Sequence, residues 1–226
     1  ANNTAGTKNA NTPGKKDNSG IPANAPPGAQ PPNQAGSAAA TVTLEEFADF
    51  QCPQCAAKHP VMNEIKSMYG SRIHFIFRNF PLDMHDKSYE AAVAADAAGI
   101  QNKFWDMQNL LFTNQRLWTS DNNYKATWKE YATRIGLDVE KWENDQLGIA
   151  SKARVDADKK RAVAIGVNST PTLYINGQMV PFEQMTVDGL KQLIDTELAK
   201  TTPSGAPAAA ANAPANAAPN TANSNK

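Results

Sequence analysis

Glu45-Glu46-Phe47-Ala48-Asp49-Phe50-Gln51-Cys52-Pro53-Gln54-Cys55 is the stretch on which the fold turns. Its first half belongs to a run, Thr41–Gln51, that reads as a strand. Val42, Leu44, Phe47 and Phe50 are apolar, and Thr41 and Thr43 add β-propensity. Cys52 follows directly. Pro53 then stands where a first helical turn would begin, a place where a missing N–H costs nothing. The helix is expected to run to Tyr69, with Val61, Ile65 and Met68 on one face and Gly70 as its stop. Arg72–Phe80 reads as a second strand, apolar on both faces and therefore covered on both. Strand, helix, strand in this order implies a right-handed parallel unit.

From Asp86 to Gly166 the pattern is helical almost throughout. The segments are Ser88–Ile100 (Ala-rich), Asn102–Gln115, Asn123–Ile135, Leu137–Leu147 and Ser151–Ile165. Thr172–Val180 then carries Asn176-Gly177 between two apolar runs, a strong signal for a two-residue hairpin. Val187–Ala199 closes the core as an amphipathic helix.

The cysteines carry the chemistry. There are two, Cys52 and Cys55, too few for a disulfide-stapled scaffold. Cys52 sits at a strand-to-helix junction, where free N–H groups and the helix dipole favour a thiolate. Cys55 follows one turn later and can close a short disulfide ring with it. Pro53 and Gln54 between them bring no charge, although Gln54 can offer an amide donor to a thiolate. A lone Cys-x-x-Cys leaves three readings open: a redox pair, half of a zinc site, or incidental buried cysteines. His59 could complete three zinc ligands with the cysteines, and His74 and His85 are the remaining histidines, neither nearby in sequence. Glu46 lies in an apolar strand, where a carboxylate is costly without a partner or a task. Behind the cysteines it could shuttle a proton to or from Cys55; the alternative is that Glu45 and Glu46 both face solvent. Thr170-Pro171 opens a strand. A cis bond there would leave the Thr170 backbone free to pair with an extended peptide, but base rates favour trans.

The chain is 226 residues long, with 22 basic and 22 acidic side chains and a formal net charge of zero. That argues against a polybasic binder of nucleic acid or anionic membrane. All 17 aromatic residues lie between Phe47 and Phe182, whereas 10 of the 15 prolines lie in 1–40 and 201–226. Those ends lack the large apolar groups that offset folding entropy. They read as a disordered Ala/Pro/Asn/Gly-rich tether and a disordered Ala/Pro/Asn-rich tail around one domain, 41–200. The chain begins at Ala1, which reads as a processed or truncated product whose tether followed an anchor or signal absent from it. No stretch reaches the roughly 18 apolar residues of a membrane span.

Residues 44–55 together with Arg78-Asn79-Phe80-Pro81-Leu82, Ala91–Ala95, Lys103-Phe104-Trp105-Asp106-Met107 and Gly166–Gly177 resemble the DsbA-like thiol-disulfide oxidoreductases of the thioredoxin superfamily. The pieces occur in the family's order across nearly all of 41–200. The resemblance implies an α/β thioredoxin fold with a helical domain, about 86–166, inserted after the second core strand. It implies Cys52 as nucleophile, Cys55 as buried resolving cysteine, Glu46 as the family's buried acid and a cis Thr170-Pro171 bond beside the disulfide. Pro53, Gln54, Thr170 and Pro171 would tune the pair and bind substrate. Pro60 resembles the helix-kinking proline of thioredoxins. Gln54 departs from the strongest oxidases, which have His there, and Thr170 occurs in oxidases and in reductases or isomerases alike. The function expected is disulfide donation to reduced, unfolded secreted proteins in an extracytoplasmic, membrane-tethered setting. The expected protein is a monomer, with no cofactor beyond the redox disulfide, no metal and no nucleic acid, reoxidised by a DsbB-like or VKOR-like membrane partner. A reductase or isomerase on the same fold is the alternative, and a non-catalytic zinc half-site the second. Phe104, Trp105, Phe112 and the Met residues near them are expected mostly in the core, the alternative being that some line an apolar substrate groove.

Overall fold

The computed structural model describes residues 20–201. Its sheet has five strands: β1 (Asn33–Gly36), β2 (Val42–Ala48), β3 (Ile73–Asn79), β4 (Thr172–Ile175) and β5 (Gln178–Met179), in the order β1-β3-β2-β4-β5. β2 and β3 are parallel, joined by α1 (Pro53–Tyr69); every other pairing is antiparallel. α2 (Ser88–Ile100), α3 (Phe104–Thr113), α4 (Gln115–Ser120), α5 (Tyr124–Arg134), α6 (Val139–Leu147) and α7 (Ile149–Ala164) intervene between β3 and β4, and α8 (Val187–Thr201) follows β5. This is a thioredoxin fold with a helical insertion.

Alternation along β2 divides its side chains between two cores. Leu44 and Ala48 join Cys55, Met62, Ile65, Phe75, Phe77 and Ile194 in the larger core, between the sheet and α1, α3 and α8. Phe47 faces the other way and packs with Phe80, Ala162, Val167 and Tyr174, beneath α7. β3 is buried on both faces: Phe75 and Phe77 on one, Ile76 and Arg78 on the other. α2 is buried without a break from Ala91 to Ala98, because its alanines let α3, α6 and α7 approach from different sides. Trp142 Nε1 donates to Ala94 O of α2 at 2.9 Å, and within the insertion Trp118 and Trp128 stack edge-on 5.2 Å apart.

Three expectations need correction. The helix read as Asn102–Gln115 ends at Thr113, and a further short helix, α4, follows from Gln115, whose side chain reaches the Cys52 carbonyl at the start of α1. The first strand ends at Ala48 rather than Gln51, because Asp49 Oδ1 accepts from Gln51 N at 2.7 Å and turns the chain. Most consequentially, residues 20–40 are not a tether. β1 pairs with β3 from Asn33↔Phe77 to Gly36↔His74, and the preceding prolines are bound through their carbonyls. Pro26 O accepts from Arg161 Nη1 (2.8 Å), Pro27 O from Arg78 Nη2 (2.8 Å) and Pro31 O from Arg154 Nη1 (2.8 Å). Composition misleads here because side-chain cations from the domain hold much of the segment, and apolar residues of its own, Ile21, Ala29 and Ala35, pack against the domain as well. Residues 1–19 and 202–226, the remainder of the expected tether and tail, lie outside the described residues. No helix among the described residues is long and apolar enough to cross a membrane.

The hairpin forms as expected. Asn176 (φ 47°) and Gly177 (φ 77°) both adopt the left-handed conformation that a type I′ turn requires. Asn176 also closes the end of the β2–β4 pair, its N–H donating to Thr43 O at 2.9 Å and its Oδ1 accepting from Thr43 N at 2.8 Å.

Candidate active site

Cys52 is the N-cap residue of α1, with extended backbone (φ −69°, ψ 120°) and Pro53 directly after it. Its N–H donates to Asp49 O (3.1 Å), and its carbonyl accepts the first helical bond, from Ala56 N (3.2 Å). The sulfur therefore projects at the helix start, where several N–H groups lack intrahelical partners. Both cysteines are free thiols. Cys52 Sγ donates to Thr170 O at 3.3 Å, and the Thr170–Pro171 peptide is cis. Cys55 is more deeply enclosed, 1% exposed against 6% for Cys52, and its sulfur accepts from Asp49 N at 3.5 Å.

The two thiols are driven apart in acidity. A hydrogen bond from the Cys55 thiol, working against burial, pulls Cys52 down to about 5, and the N–H groups of Cys55 and Gln54 add to it. Burial pushes Cys55 well above the ordinary thiol range, and the neighbouring Cys52 sulfur pushes it further. Gln54 thus contributes through its backbone N–H, while its side chain lies exposed. Pro53 is exposed too.

Residues that sequence reasoning did not single out fix this turn in place. The side chain of Gln115, buried at the start of α4, donates from Nε2 to Phe50 O (2.7 Å) and Cys52 O (2.8 Å). The buried Asp49 carboxylate accepts from Gln51 N, from Leu82 N (2.8 Å) and from His85 Nδ1 (2.7 Å), which ties the Pro81 loop to the cysteine turn. Gln51 extends the tie, accepting from Lys87 N and donating to Asp86, each at 2.8 Å. Asp49 was legible as a polar residue in an apolar run. Gln115 carried no local signal, since its partners are more than 60 residues away.

Both glutamates are buried, Glu45 at 5% and Glu46 at 3% exposure, so neither faces solvent. They serve opposite faces. Glu45 lies on the α7 side, with Oε1 receiving Arg78 Nε and Arg161 Nε and Oε2 receiving Arg161 Nη2, all at 2.7 Å. Arg78 also reaches Asp158 Oδ1 at 3.0 Å. The arginines hold Glu45 below its usual range despite its burial. Glu46 shares the face of Leu44, Ala48 and Cys55. Burial raises its carboxyl, opposed by the Lys66 ammonium, and burial lowers Lys66 in turn. Lys66 Nζ lies 4.2 Å from the Trp105 ring centroid and 5.2 Å from that of Phe75. Phe104 and Phe112 are core, as expected, whereas Trp105 is half-buried and bonds Gln34 O through its indole N–H at 3.1 Å.

His59 is engaged elsewhere: its Nε2 lies 3.0 Å from both Asn109 Oδ1 and Asn63 Nδ2, and its ring is 5.0 Å from that of Phe112. His74 bonds Gln34, and His85 bonds Asp49. Among the described residues no group of three or more His, Cys, Asp or Glu side chains is placed to hold a metal ion.

A thioredoxin family model matches residues 30–196, and the chain belongs to the thioredoxin family. Among solved structures, the fold is similar to oxidised BdbD of Bacillus subtilis (TM-score 0.66, 23% identity, 74% of this chain and 93% of that one). It is also similar to α-DsbA1 of Wolbachia pipientis (TM-score 0.64, 19% identity, 76% and 92%). These likenesses show the fold, shared over about three quarters of this chain. Among curated relatives, a Na(+)/H(+) antiporter NhaA 1 of Mycolicibacterium gilvum is 35% identical over 142 residues, 62% of this chain. The chain spans about a fifth of that relative's length (22%), so the match concerns one part of a larger polypeptide.

Proposed function

We propose that this member of the thioredoxin family is a protein thiol-disulfide oxidoreductase whose Cys52–Cys55 pair donates a disulfide to reduced extracytoplasmic polypeptides. The observation that carries the reading is the asymmetry of the pair. One acidic thiol stands at a helix N-terminus, and one strongly disfavoured as thiolate is buried behind it.

The oxidised pair would react in two steps. A substrate thiolate attacks Cys52 Sγ, the Cys52–Cys55 bond breaks, and Cys55 leaves with the electron pair. Because burial disfavours its thiolate, Cys55 needs a proton at once. Glu46, raised toward neutrality on the same face of the sheet, is the group we assign to supply it. A second substrate thiolate then attacks the substrate sulfur of the mixed disulfide and expels Cys52. A thiol with a pKa near 5 is a good leaving group, so release of the oxidised substrate is favoured. Two electrons pass from substrate to the pair. Of the two thiol protons given up, one ends on Cys55 and the other goes to solvent, since Cys52 stays ionised at neutral pH. Thr170, with its carbonyl beside Cys52 Sγ, is the backbone edge on which an extended substrate would pair. Reoxidation by a membrane thiol oxidase of the DsbB or VKOR kind would complete the cycle.

The test is stoichiometric transfer. Oxidised protein is mixed with a reduced, unfolded polypeptide carrying two cysteines, and both partners are thiol-trapped and weighed. The reading expects the substrate to gain one disulfide while the protein gains two thiols, and Cys52→Ala to abolish transfer. Reduced protein that instead opens disulfides, with no transfer in the forward direction, would favour a reductase.

A further inference from the structure

We infer that the cavity beside Cys52 is a substrate subsite that takes an apolar side chain adjoining the reacting cysteine, with an acidic group next to it facing Arg116. The inference rests on the thiol-disulfide reading above and names the kind of sequence that site selects.

The cavity encloses about 290 Å³ between the first turn of α1 and the α3–α4 corner. It begins at Pro53, the residue after the nucleophile, and includes Gln115, whose amide holds the Cys52 carbonyl. Pro53, Ala56 and Ala57 fall at helical positions i, i+3 and i+4 and so share the face of α1 that borders it. Two alanines there leave open the room that larger side chains would fill. The opposite wall holds Phe112, buried, and Leu117, an apolar side chain left 66% exposed. Neither Thr170 nor Pro171 lines the cavity, so a substrate paired along Thr170 still has this second wall free for its side chains.

Size and charge identify the occupant. Pockets for whole small ligands run to roughly 300–1,000 Å³; at about 290 Å³ this one falls just short of that range and suits a single bulky side chain. Five of its nine lining residues are apolar, three are polar and uncharged, and one, at the rim, is charged. That group, Arg116, is exposed and has no ion-pair partner among the described residues. A cation on the rim of an apolar cavity selects a carboxylate beside the entering side chain. The break at Asn114 connects these features: it places Gln115 under the cysteine turn and presents Arg116 and Leu117 to the cavity.

The test measures how fast the oxidised protein reacts with short single-cysteine peptides that differ beside the cysteine. Leu with Asp, Ser with Asp, and Leu with Lys are compared. Each rate is divided by the same variant's rate with dithiothreitol, which has no side chain to seat. The wild type is expected to prefer Leu over Ser by about tenfold, the low end for apolar discrimination in a pocket, and Asp over Lys by several-fold at low salt. Ala57→Phe, which fills the cavity, is expected to erase the Leu preference. Arg116→Glu is expected to reverse the charge preference and keep the apolar one. Equal normalised rates for all peptides in the wild type, or preferences untouched by both substitutions, would overturn the subsite. A wild type that fails to react with dithiothreitol at all would instead overturn the redox reading on which it stands.

Discussion

The low pKa of Cys52 predicts that reducing the pair stabilises the folded protein, and that this advantage depends on pH in one direction. The perturbation is pH, applied to the reduced and oxidised forms in parallel. Cys52 falls from an ordinary 9.0 to about 5 in the folded dithiol. A depressed acid adds stability that is complete above its unfolded pKa and is lost as pH falls through its folded pKa. At pH 7 two of the four units are in force, an upper limit of about 2.7 kcal/mol. The sulfur sits at the edge of solvent, and screening reduces this to about 1–1.5 kcal/mol. For a chain of this size that corresponds to roughly 2–6 °C in melting temperature. Cys55, raised by burial, adds nothing below about pH 9. Glu46 is raised and works in the opposite sense, its contribution fading as pH rises, but it is present in both redox forms. The constraint of the disulfide on the unfolded chain is independent of pH. The assay is therefore the melting temperature of the reduced form minus that of the oxidised form, from pH 4.5 to 7.5. The difference should grow by several degrees across that range and stay flat in Cys52→Ser compared with Cys52→Ser/Cys55→Ser. A flat difference in the wild type would refute the low pKa and the direction of transfer argued from it.

Other substitutions test the parts that hold the site. Gln115→Leu strips both Phe50 O and Cys52 O of their donor; a loss of about 2–3 kcal/mol is expected in denaturant unfolding, and a loss under 0.5 kcal/mol would remove Gln115 from the account. Arg78→Met leaves Glu45 short of one cation and Asp158 without its own, and frees the carbonyls of Pro27 and Ala29. The expected cost is about 3–5 kcal/mol, with hydrogen exchange rising first at residues 27–31; uniform exchange would argue against a local anchor. Glu46→Gln removes the assigned proton donor. Attack on the disulfide should slow at least tenfold at pH 6–7, within the lower reach of general acid catalysis, and lose its pH dependence there, while Cys52 alkylation in the reduced form stays at its wild-type rate. A rate within twofold of wild type would take Glu46 out of the relay.

What could be read in advance followed local rules. Pro53 at a helix start, Gly70 at its end, the both-faced apolar strand 73–79 and Asn176-Gly177 each encode their element within a few residues, and each element lies where the spacing put it. Cys52 and Cys55 were legible for the same reason. What escaped depends on distant partners. Residues 26–31 look like linker because their anchors are Arg78, Arg154 and Arg161, far along the chain. Gln115 looks like any helical glutamine until the α3–α4 corner brings it beneath Cys52. Glu45 and Glu46 are adjacent and similar in sequence. Strand alternation alone sends one to the arginines beneath α7 and the other to the cysteine side.

The reduction potential of the Cys52–Cys55 pair bears most directly on the central claim. It can be measured by equilibrating the protein in glutathione redox buffers at pH 7, quenching with acid and counting trapped thiols by mass. A stabilised Cys52 thiolate predicts an oxidising couple, toward the roughly −120 mV of strong disulfide donors. A value near the roughly −270 mV of thioredoxin would contradict donation and make the pair a reductant.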